Sequence, residues 1–335
     1  MALATRAGDL CMRRRRNTIH RMTLLVLAAV FVALFVWRAA WRAYVERSVG
    51  ARLQVGADGI VPGAQPIELY PDTPVGALLL LHGFGDTPQS LAPLAKHLHE
   101  RGFAVHVPLL PGHGRTLRDF HASTEEQWVG EARRALDALR SRDERVGVVG
   151  LSMGGALATL LASESSDLRA LALIAPYLDP PQSVRMMARA APVADRMIPY
   201  MRGGDPRSIY DPVAHAAALS YRAVSPRSIA ELVRLVDRAR SRLSHVRLPT
   251  LYVQSSEDYR IPVTAAERSF RSLGTPEKKL EWLTGCGHVV TVDYCRERVA
   301  ELVTEWMEAN VERDPSSRRL AGATGQNEGE RTSGD

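Results

Sequence analysis

A serine between glycines stands near the middle of the chain, in the segment GLSMGG that begins at Gly150. The apolar run Val146–Val149 precedes it and predicts a strand, whereas Ala156–Ala162 predicts a helix. A turn between them strains the central residue, and Gly150 and Gly154 let neighbouring backbone approach closely. Ser152 would lie at a helix N-terminus, where backbone N–H groups favour developing negative charge. We interpret Ser152 as a nucleophile; the alternative is a glycine-rich turn with a spectator serine.

A serine hydroxyl needs a base to become nucleophilic, and the base needs a carboxylate that orients it. The predicted strand Thr250–Gln254 is followed closely by Glu257 and Asp258, and a carboxylate at that position faces the crevice of an α/β sheet. The predicted strand Lys279–Leu283 is followed by His288, which alone among ten histidines lies downstream of Asp258. We predict Asp258 and His288 as acid and base, with Glu257 as the alternative acid.

Two backbone N–H groups could stabilise the oxyanion that attack by a serine creates. One belongs to Met153, directly after Ser152. The other is expected in the loop HGFGD, which follows the predicted strand Ala77–Leu81. Here the N–H of Phe84 is the candidate donor, because the glycines on either side give the loop freedom to aim it. A tight glycine turn without a catalytic role is the alternative for this loop.

Short apolar runs alternate with helical patterns around these residues, and each run is typical of a parallel strand buried on both faces. The predicted strands are Ala77–Leu81, Ala104–Pro108, Val146–Leu151, Leu171–Ile174, Thr250–Gln254 and Lys279–Leu283. The predicted helices include Ser90–Glu100, Glu125–Leu139 and Asp293–Val311. The alternation predicts an α/β fold with a mostly parallel, doubly wound sheet. Residues of about 176–245, rich in Met, Arg and Ala, predict a helical cap over the carboxyl edge of that sheet.

The positive charge of the chain is concentrated at its N-terminus. Of 335 residues, 43 are Lys or Arg and 37 are Asp or Glu, which gives a net charge of +6. Residues 1–52 contain ten Arg and two acids, a balance of +8, so the remaining residues carry a balance of −2. A nearly neutral globular part lacks the electrostatic footprint of a nucleic-acid-binding protein.

The N-terminal region contains a predicted membrane-spanning segment. Residues 22–37 contain one Thr and no charge, and extending the run to Trp41 gives a predicted span of 22–41 with Trp37 and Trp41 at the interface. Six arginines precede it, so the positive-inside rule predicts a basic cytoplasmic tail (1–21) and an exported body. The alternatives are a cleaved signal peptide, which gives a secreted form, and a buried core helix; no Ala-x-Ala site follows the run. We further predict a linker over 42–65, one folded domain over 66–312 and a disordered tail over 313–335.

The three cysteines and the histidines give few further sites. Cys11 falls in the predicted cytoplasmic tail, whereas Cys286 and Cys295 are nine residues apart around the predicted base. In an exported domain these two could form a disulfide; free buried thiols are the alternative. We find no His/Cys cluster with metal-ligand spacing and no Gly-rich phosphate loop, so no metal or other cofactor is expected.

Four segments of the chain resemble serine hydrolases of the α/β-hydrolase superfamily, in particular bacterial monoacylglycerol lipases and carboxylesterases. They are HGFGDTPQSLAPLAKHLHERGFAVHVPLLPGHG (82–114), GLSMGG (150–155), SEDYRIPV (256–263) and GHVVTVDYCRERV (287–299). The resemblance covers about 66–310. It implies a triad of Ser152, Asp258 and His288, oxyanion donors at Phe84 and Met153, a cap near 176–245, and action on short- to medium-chain acyl esters, monoglycerides among them.

The sequence departs from this family pattern at two positions of the site. Relatives often carry Gly where Asp86 stands, so the oxyanion loop is expected to differ in shape or charge. Relatives usually carry a small residue where Cys286 stands. The N-terminal span and the C-terminal tail are not part of the family pattern either.

The expected activity is cleavage of carboxylic esters through an acyl-enzyme on Ser152, with a small acyl ester or a lipid as substrate. Thioesterase, peptidase and C–C hydrolase chemistry use the same machinery, because the fold does not fix the substrate. A non-catalytic, membrane-anchored binding protein on this fold is the alternative from another class. The methionines of the cap (Met186, Met187, Met197, Met201) suit either an adaptable pocket for acyl chains or a plain helix core.

Overall fold

A sheet of seven strands carries the folded part of the chain, and its order is β1-β3-β2-β4-β5-β8-β9. The computed structural model describes residues 2–203 and 205–312. The strands are β1 Ile67–Leu69, β2 Ala77–Leu81, β3 Ala104–Val107, β4 Val146–Leu151, β5 Ala170–Ile174, β8 Thr250–Ser255 and β9 Lys278–Leu283. All neighbouring pairs are parallel except β1 with β3. The predicted mostly parallel sheet is confirmed, and each predicted strand matches within two residues at either end.

The central strands are apolar on both faces because helices cover both. In β2, Leu79 and Leu81 join the core on one face, whereas Leu78 and Leu80 join the core on the other. Each of these leucines is fully buried, which stabilises the fold by about 1.5–3 kcal/mol per side chain. The described helices are α1 Ala2–Arg52, α2 Ala92–Glu100, α3 Leu117–Ala122, α4 Glu125–Arg140, α5 Met153–Glu164, α6 Gln182–Met197, α7 Pro212–Ala217, α8 Pro226–Arg242, α9 Val263–Ser272 and α10 Arg296–Val311.

The helices divide between the faces as crossover connections require. Helices α4, α5, α8 and α9 contribute to the core that contains the fully buried Trp128. Helices α2 and α10 cover the opposite face, where Val303 and Met307 are fully buried. Helix α4 begins at a capping box in which Thr124 and Gln127 satisfy each other's backbone N–H groups. The predicted helix Ser90–Glu100 is instead a short 3₁₀ turn, Pro88–Leu91, followed by α2.

The cap consists of α6, α7 and a two-stranded antiparallel ribbon, in which β6 Met201–Arg202 pairs with β7 Ala223–Val224. The insertion was predicted to reach about residue 245, but α8 departs from that prediction. Its residues Leu235, Val236 and Ala239 are fully buried in the main core with α4 and α5. Helix α8 therefore packs on the helix layer of the sheet on one side and on α6 of the cap on the other.

Helix α1 is longer than the predicted span and packs on the body at its C-terminal end. The stretch His20–Arg52 is apolar and long enough to cross a membrane by length and composition. Residues 20–37 are exposed, whereas Val45 and Val49 are buried against the cap and α3. The prediction of a linker from residue 42 is thus wrong for its first eleven residues, which are helical. The predicted tail over 313–335 lies outside the described residues.

Trp41 is not placed as predicted for an interfacial tryptophan. Its Nε1–H donates a hydrogen bond of 2.9 Å to the carbonyl oxygen of Tyr200 in the cap, and its ring stacks on Tyr44 at 5.6 Å between centroids. Three residues earlier, Arg38 donates to the carbonyl oxygen of Asp195. The helix therefore begins to contact the body at Arg38, whereas Trp37 remains exposed.

Candidate active site

Ser152 lies on a sharp turn between β4 and α5. Its backbone has φ 55° and ψ −114°, a region that side-chain-bearing residues rarely occupy. The turn needs glycine on both sides: a Cβ on Gly150 would clash with the backbone of Gly154, and one on Gly154 would clash with the carbonyl oxygen of Leu81. The strain is held by the strand before the turn and the buried helix after it, and it exposes the hydroxyl at the carboxyl edge of the sheet.

The structure brings the three predicted polar side chains together. The Oγ of Ser152 lies 2.8 Å from Nε2 of His288, and Nδ1 of His288 lies 2.7 Å from Oδ2 of Asp258. Asp258 follows β8 and His288 follows β9, so parallel strand ends place all three at one edge. The alternative acid, Glu257, points elsewhere and accepts a hydrogen bond from the N–H of Gly285.

Asp258 is held as an anion by its surroundings. Its Oδ1 accepts hydrogen bonds from the N–H groups of Arg260 (2.8 Å) and Ile261 (3.2 Å), and its Oδ2 accepts one from Nε2 of Gln254 (2.9 Å). Burial by itself would raise the pKa of Asp258, but His288 and these donors outweigh it and lower the pKa below its ordinary value. A charged carboxylate can orient the imidazole and stabilise its protonated form.

The two predicted oxyanion donors lie in segments next to Ser152. Met153 is the first residue of α5, so its N–H has no partner within the helix. Gly83, next to Phe84, approaches Ser152 so closely that a Cβ on it would lie 3.5 Å from the Cβ of Ser152. In the part of the chain that the structure describes, the Phe84 N–H donates to no protein acceptor. The roles of Phe84 and Met153 as oxyanion donors remain a prediction.

His82 fixes the loop that carries Phe84; its position before the nucleophile in the sequence favours a structural role, but not this particular one. It is fully buried, and burial lowers its pKa to about 4, so the ring is neutral. Its Nε2 accepts a hydrogen bond from the N–H of Leu110 (3.2 Å), which leaves Nδ1–H to donate to the carbonyl oxygen of Gly83 (3.0 Å). A neutral histidine thus joins the loop to the segment after β3.

Asp293 fixes the loop that carries His288, and sequence reasoning missed it as well. Its carboxylate accepts hydrogen bonds from the N–H groups of Gly287 (2.7 Å), Tyr210 (2.9 Å) and Asp211 (2.9 Å). The N–H of His288 donates to the carbonyl oxygen of Ser208, also at 2.9 Å. The base is therefore positioned by contacts with the cap as well as by its own strand.

A disulfide joins Cys286 and Cys295, with a sequence separation of nine residues. Cys286 is fully buried and its carbonyl oxygen accepts a hydrogen bond of 2.6 Å from Ser255 Oγ. The bridge ties the loop before His288 to the residue at which α10 begins. It therefore restrains the base on the side opposite the cap.

Removing this disulfide is expected to lower the free energy of unfolding more than it lowers the catalytic rate. Closing a loop of this length stabilises a fold by about 2.5 kcal/mol. The Cys286→Ser/Cys295→Ser variant should therefore unfold at a lower midpoint concentration of urea than the wild type. Reduction of the wild type should add about two daltons, and the variant should show no such change. A wild type that gains no mass on reduction would contradict the bridge.

A cavity of about 960 Å³ opens beside Ser152 and His288. Much of its wall is apolar and comes from the cap and from α8; these residues include Ile209, Val213, Ala214, Val224, Ile229 and Leu232. The volume lies at the upper end for small-molecule sites, and an apolar wall with a few convergent polar groups is typical of them. The cavity has room for an acyl chain next to the serine.

Asp86 adds a carboxyl group to the polar end of this cavity, at the position where the sequence departs from its relatives. A Cβ on Gly83 would lie 3.6 Å from Oδ2 of Asp86, so the carboxyl stands beside the candidate oxyanion loop. Burial raises its pKa to about 6, although Ser90, the N–H of Thr87 and His288 oppose the rise. Above that pH a charged carboxylate would be present in the cavity.

The Asp86→Asn variant is expected to differ from the wild type in the pH dependence of stability. Because the pKa of Asp86 is about 6 in the folded state and 3.8 ordinarily, the folded state holds its proton more tightly. Wild-type stability should therefore fall as the pH rises from about 4 to about 6, by on the order of 2–3 kcal/mol relative to the variant. Urea denaturation of both proteins at several pH values measures this difference; parallel curves would contradict it.

Among the residues that the structure describes, no group of three or more His, Cys, Asp or Glu side chains is placed to hold a metal ion. The arrangement that the structure does show is a hydroxyl, an imidazole and a carboxylate in series, two backbone N–H groups and an apolar cavity. Such an arrangement can carry out acyl transfer to water.

Comparisons with known proteins agree with this fold. The family model described as serine aminopeptidase, S33 (Hydrolase_4) matches residues 72–294, two thirds of the chain. The chain is 29% identical over 254 residues to the thermostable monoacylglycerol lipase of Bacillus sp. (strain H-257), covering 74% of this chain and 95% of that protein. It is 26% identical over 233 residues to the carboxylesterase of Bacillus subtilis (strain 168), covering 69% and 92%.

A solved structure of the metagenome-derived lipolytic enzymes LipS and LipT superimposes with a TM-score of 0.69 and 28% identity, covering 75% of this chain and 99% of that one. The monoacylglycerol lipase of Paleococcus ferrophilus has the same fold, with a TM-score of 0.64, 21% identity, and coverage of 73% and 98%. The chain belongs to the serine aminopeptidase S33 family of α/β-hydrolase serine hydrolases, and it is an ester-hydrolysing enzyme.

Proposed function

We propose that the protein is a membrane-anchored serine esterase that cleaves short- to medium-chain acyl esters or monoacylglycerols through an acyl-enzyme on Ser152. The hydrogen-bonded series Ser152–His288–Asp258 carries this proposal. The large apolar cavity beside the serine supports an acyl substrate. Relatives named monoacylglycerol lipase and carboxylesterase support the ester class.

In the proposed reaction, Ser152 Oγ attacks the ester carbonyl while His288 Nε2 takes its proton. The carbonyl oxygen becomes an oxyanion and accepts hydrogen bonds from the N–H groups of Phe84 and Met153. Asp258 stabilises the positive charge on His288 and keeps Nδ1 protonated. His288 then gives its proton to the departing alcohol, and the same base activates the water that hydrolyses the acyl-enzyme.

A fluorophosphonate probe and a substrate panel test the proposal together. We expect the full chain to be labelled once, at Ser152, and to hydrolyse monoacylglycerols and a p-nitrophenyl ester series from acetyl to palmitoyl with a short- to medium-chain optimum. The panel includes thioesters and aminoacyl anilides. Faster turnover of either of these would favour the thioesterase or the peptidase alternative. No labelling of folded protein would favour a non-catalytic binding protein.

We propose further that residues 22–41 anchor the chain in a membrane, with a cytoplasmic tail over 1–21 and the hydrolase domain, 66–312, exported. The exposed apolar surface of α1 supports insertion, and the preceding arginines support this orientation. The disulfide supports an oxidising compartment. The contacts of Arg38 and Trp41 with the cap support retention of the helix, because cleavage near residue 40–45 would remove them.

Anchoring is tested by alkaline carbonate extraction of membranes that contain the full chain. We expect the protein to stay in the membrane pellet with its N-terminus intact, and externally added protease to reach the hydrolase domain but not the N-terminal tail. Replacing Leu27 and Val30 with arginine should release it, since central charges cost about 2.5–3.5 kcal/mol each for insertion. A soluble mature protein that begins near residue 40–45 would overturn the proposal.

A further inference from the structure

A second cavity, of about 260 Å³, lies where α1 meets the two-stranded ribbon of the cap, β6 with β7. Three arginines line it: Arg52 from α1, Arg202 from β6, and Arg222 directly before β7. The hydroxyl-bearing side chains of Tyr44 and Ser48 line it from α1. We refer to this as the arginine cavity. It is distinct from the substrate cavity, although Arg222 and its neighbours form a wall between the two.

The three positive charges have no carboxylate partner in the part of the chain that the structure describes. Among the described residues, no Asp or Glu oxygen lies within 4.0 Å of their guanidinium groups, and none lines the arginine cavity. Arg52 donates instead to the carbonyl oxygens of Ala218 and Ser220, and Arg222 to that of His215. Arg202 donates to the hydroxyl of Tyr44 at 2.8 Å. Hydrogen bonds to neutral groups orient these guanidiniums but leave their charges uncompensated.

Two further observations support a built site. Arg222 has φ 52°, a left-handed backbone conformation that is uncommon for a residue with a long side chain and that clusters at ligand sites. Its carbonyl oxygen accepts a hydrogen bond of 2.8 Å from the N–H of Gly203, which continues the pairing of β6 with β7 up to Arg222. Burial and the charge of Arg222 both lower the pKa of Arg52, as expected where like charges are held close.

We propose that the arginine cavity binds a phosphate group. Guanidinium groups match phosphate oxygens with paired N–H donors, and the two hydroxyl-bearing residues can supply further donors. The volume is several times the space that one water molecule occupies in the liquid, about 30 Å³, so a tetrahedral oxyanion fits. An anion there would neutralise the charges and link α1 to the cap.

The phosphate could belong to a lipid headgroup or to a small soluble molecule. If the span ends where α1 first contacts the body, at Arg38, Tyr44 lies about 9 Å beyond it along the helix. The headgroup layer is about 5–8 Å thick on each side of the hydrocarbon core, so the arginine cavity would open near its outer edge. This lipid source rests on the proposed anchor, whereas the binding site does not.

The test uses the full chain purified in dodecyl maltoside and freed of lipid. Palmitoyl-oleoyl phosphatidylglycerol is then added back, and native mass spectrometry counts the molecules of this lipid that each chain retains. Thermal unfolding with inorganic phosphate, against chloride at equal ionic strength, reports free anion binding. We expect the wild type to retain one lipid, to be stabilised by phosphate, or both. Retention without a phosphate effect identifies the headgroup source, and the reverse identifies a soluble phosphate compound.

Variants separate the arginine cavity from the general basicity of α1. The Arg52→Gln/Arg202→Gln variant should bind at least tenfold more weakly, and Arg52→Lys/Arg202→Lys should restore part of the binding. Arg47→Gln is the matched control, because Arg47 is an exposed arginine of the same helix that does not line the cavity. Ser48→Leu keeps all three arginines but fills the space, so it should also abolish binding. No binding by the wild type, or equal binding by the Gln pair and Arg47→Gln, would overturn the proposal.

Discussion

The Ser152→Ala variant is expected to lose at least about 10⁵-fold in kcat for p-nitrophenyl butyrate, because no other hydroxyl can take over the attack. The remaining rate would come from the oxyanion donors and from substrate binding alone. Stability should change by less than about 1 kcal/mol, since the side chain is small and contributes only the hydrogen bond to His288. Stopped assays with the purified full chain measure the rate, and circular dichroism checks the fold.

A matched control and a double variant sharpen this expectation. Ser163 lies in α5, the helix that follows the turn at Ser152. Among the described residues, its hydroxyl donates only to the carbonyl oxygen of Leu160. Ser163→Ala should therefore keep full activity. The Ser152→Ala/His288→Ala variant should be no slower than Ser152→Ala alone, because the two groups act as one unit. A further hundredfold loss in the double variant would show that His288 acts independently of Ser152.

The sheet and the edge that holds the candidate site could be predicted from the sequence because both depend on local signals. Five of the strands are apolar runs bounded by glycine, proline or charged turns, and parallel strands must place their carboxyl ends at one edge. Ser152 and Asp258 each follow such a run, and His288 follows β9, an edge strand with three charged residues. Their meeting in space therefore follows from the order of strands along the chain, without any knowledge of the side chains around them.

Short or irregular elements could not be predicted in this way. Strand β1 has three residues and β6 and β7 have two each, too few for a period of two to be visible. These strands form through pairing with partners that are distant in sequence. The end of the cap was misplaced for a similar reason, because a helix over the sheet and a helix in its layer have the same amphipathic pattern.

The positioning residues were missed because their roles depend on three-dimensional surroundings. A buried histidine such as His82 and an acid such as Asp293 carry no motif that separates them from structural residues. The docking of α1 was missed because the chain from residue 42 was interpreted as a linker. In fact Glu46 binds Arg42, Arg118 and Tyr200, which joins α1 to α3 and to the cap.

The Asp258→Asn variant is expected to lose about 10⁴-fold in kcat while Glu257→Gln loses less than tenfold. The amide would have to place its oxygen toward the N–H groups of Arg260 and Ile261, because these two backbone donors cannot turn away. Its NH₂ group would then face Gln254 and His288. Gln254 can rotate its own amide to accept, since its Oε1 has no partner in the wild type among the described residues.

His288 can accept from that NH₂ group only by moving its proton from Nδ1 to Nε2. The nitrogen that faces Ser152 would then be a donor and could not take the serine proton, so the loss falls on kcat rather than on binding. Glu257→Gln leaves this proton arrangement intact, because the carboxylate of Glu257 accepts from the N–H of Gly285 and, among the described residues, has no hydrogen bond with His288. Steady-state kinetics with p-nitrophenyl butyrate compare the two variants. Equal losses, or a larger loss for Glu257→Gln, would assign the orienting role to Glu257 and show that Asp258 is a structural acid.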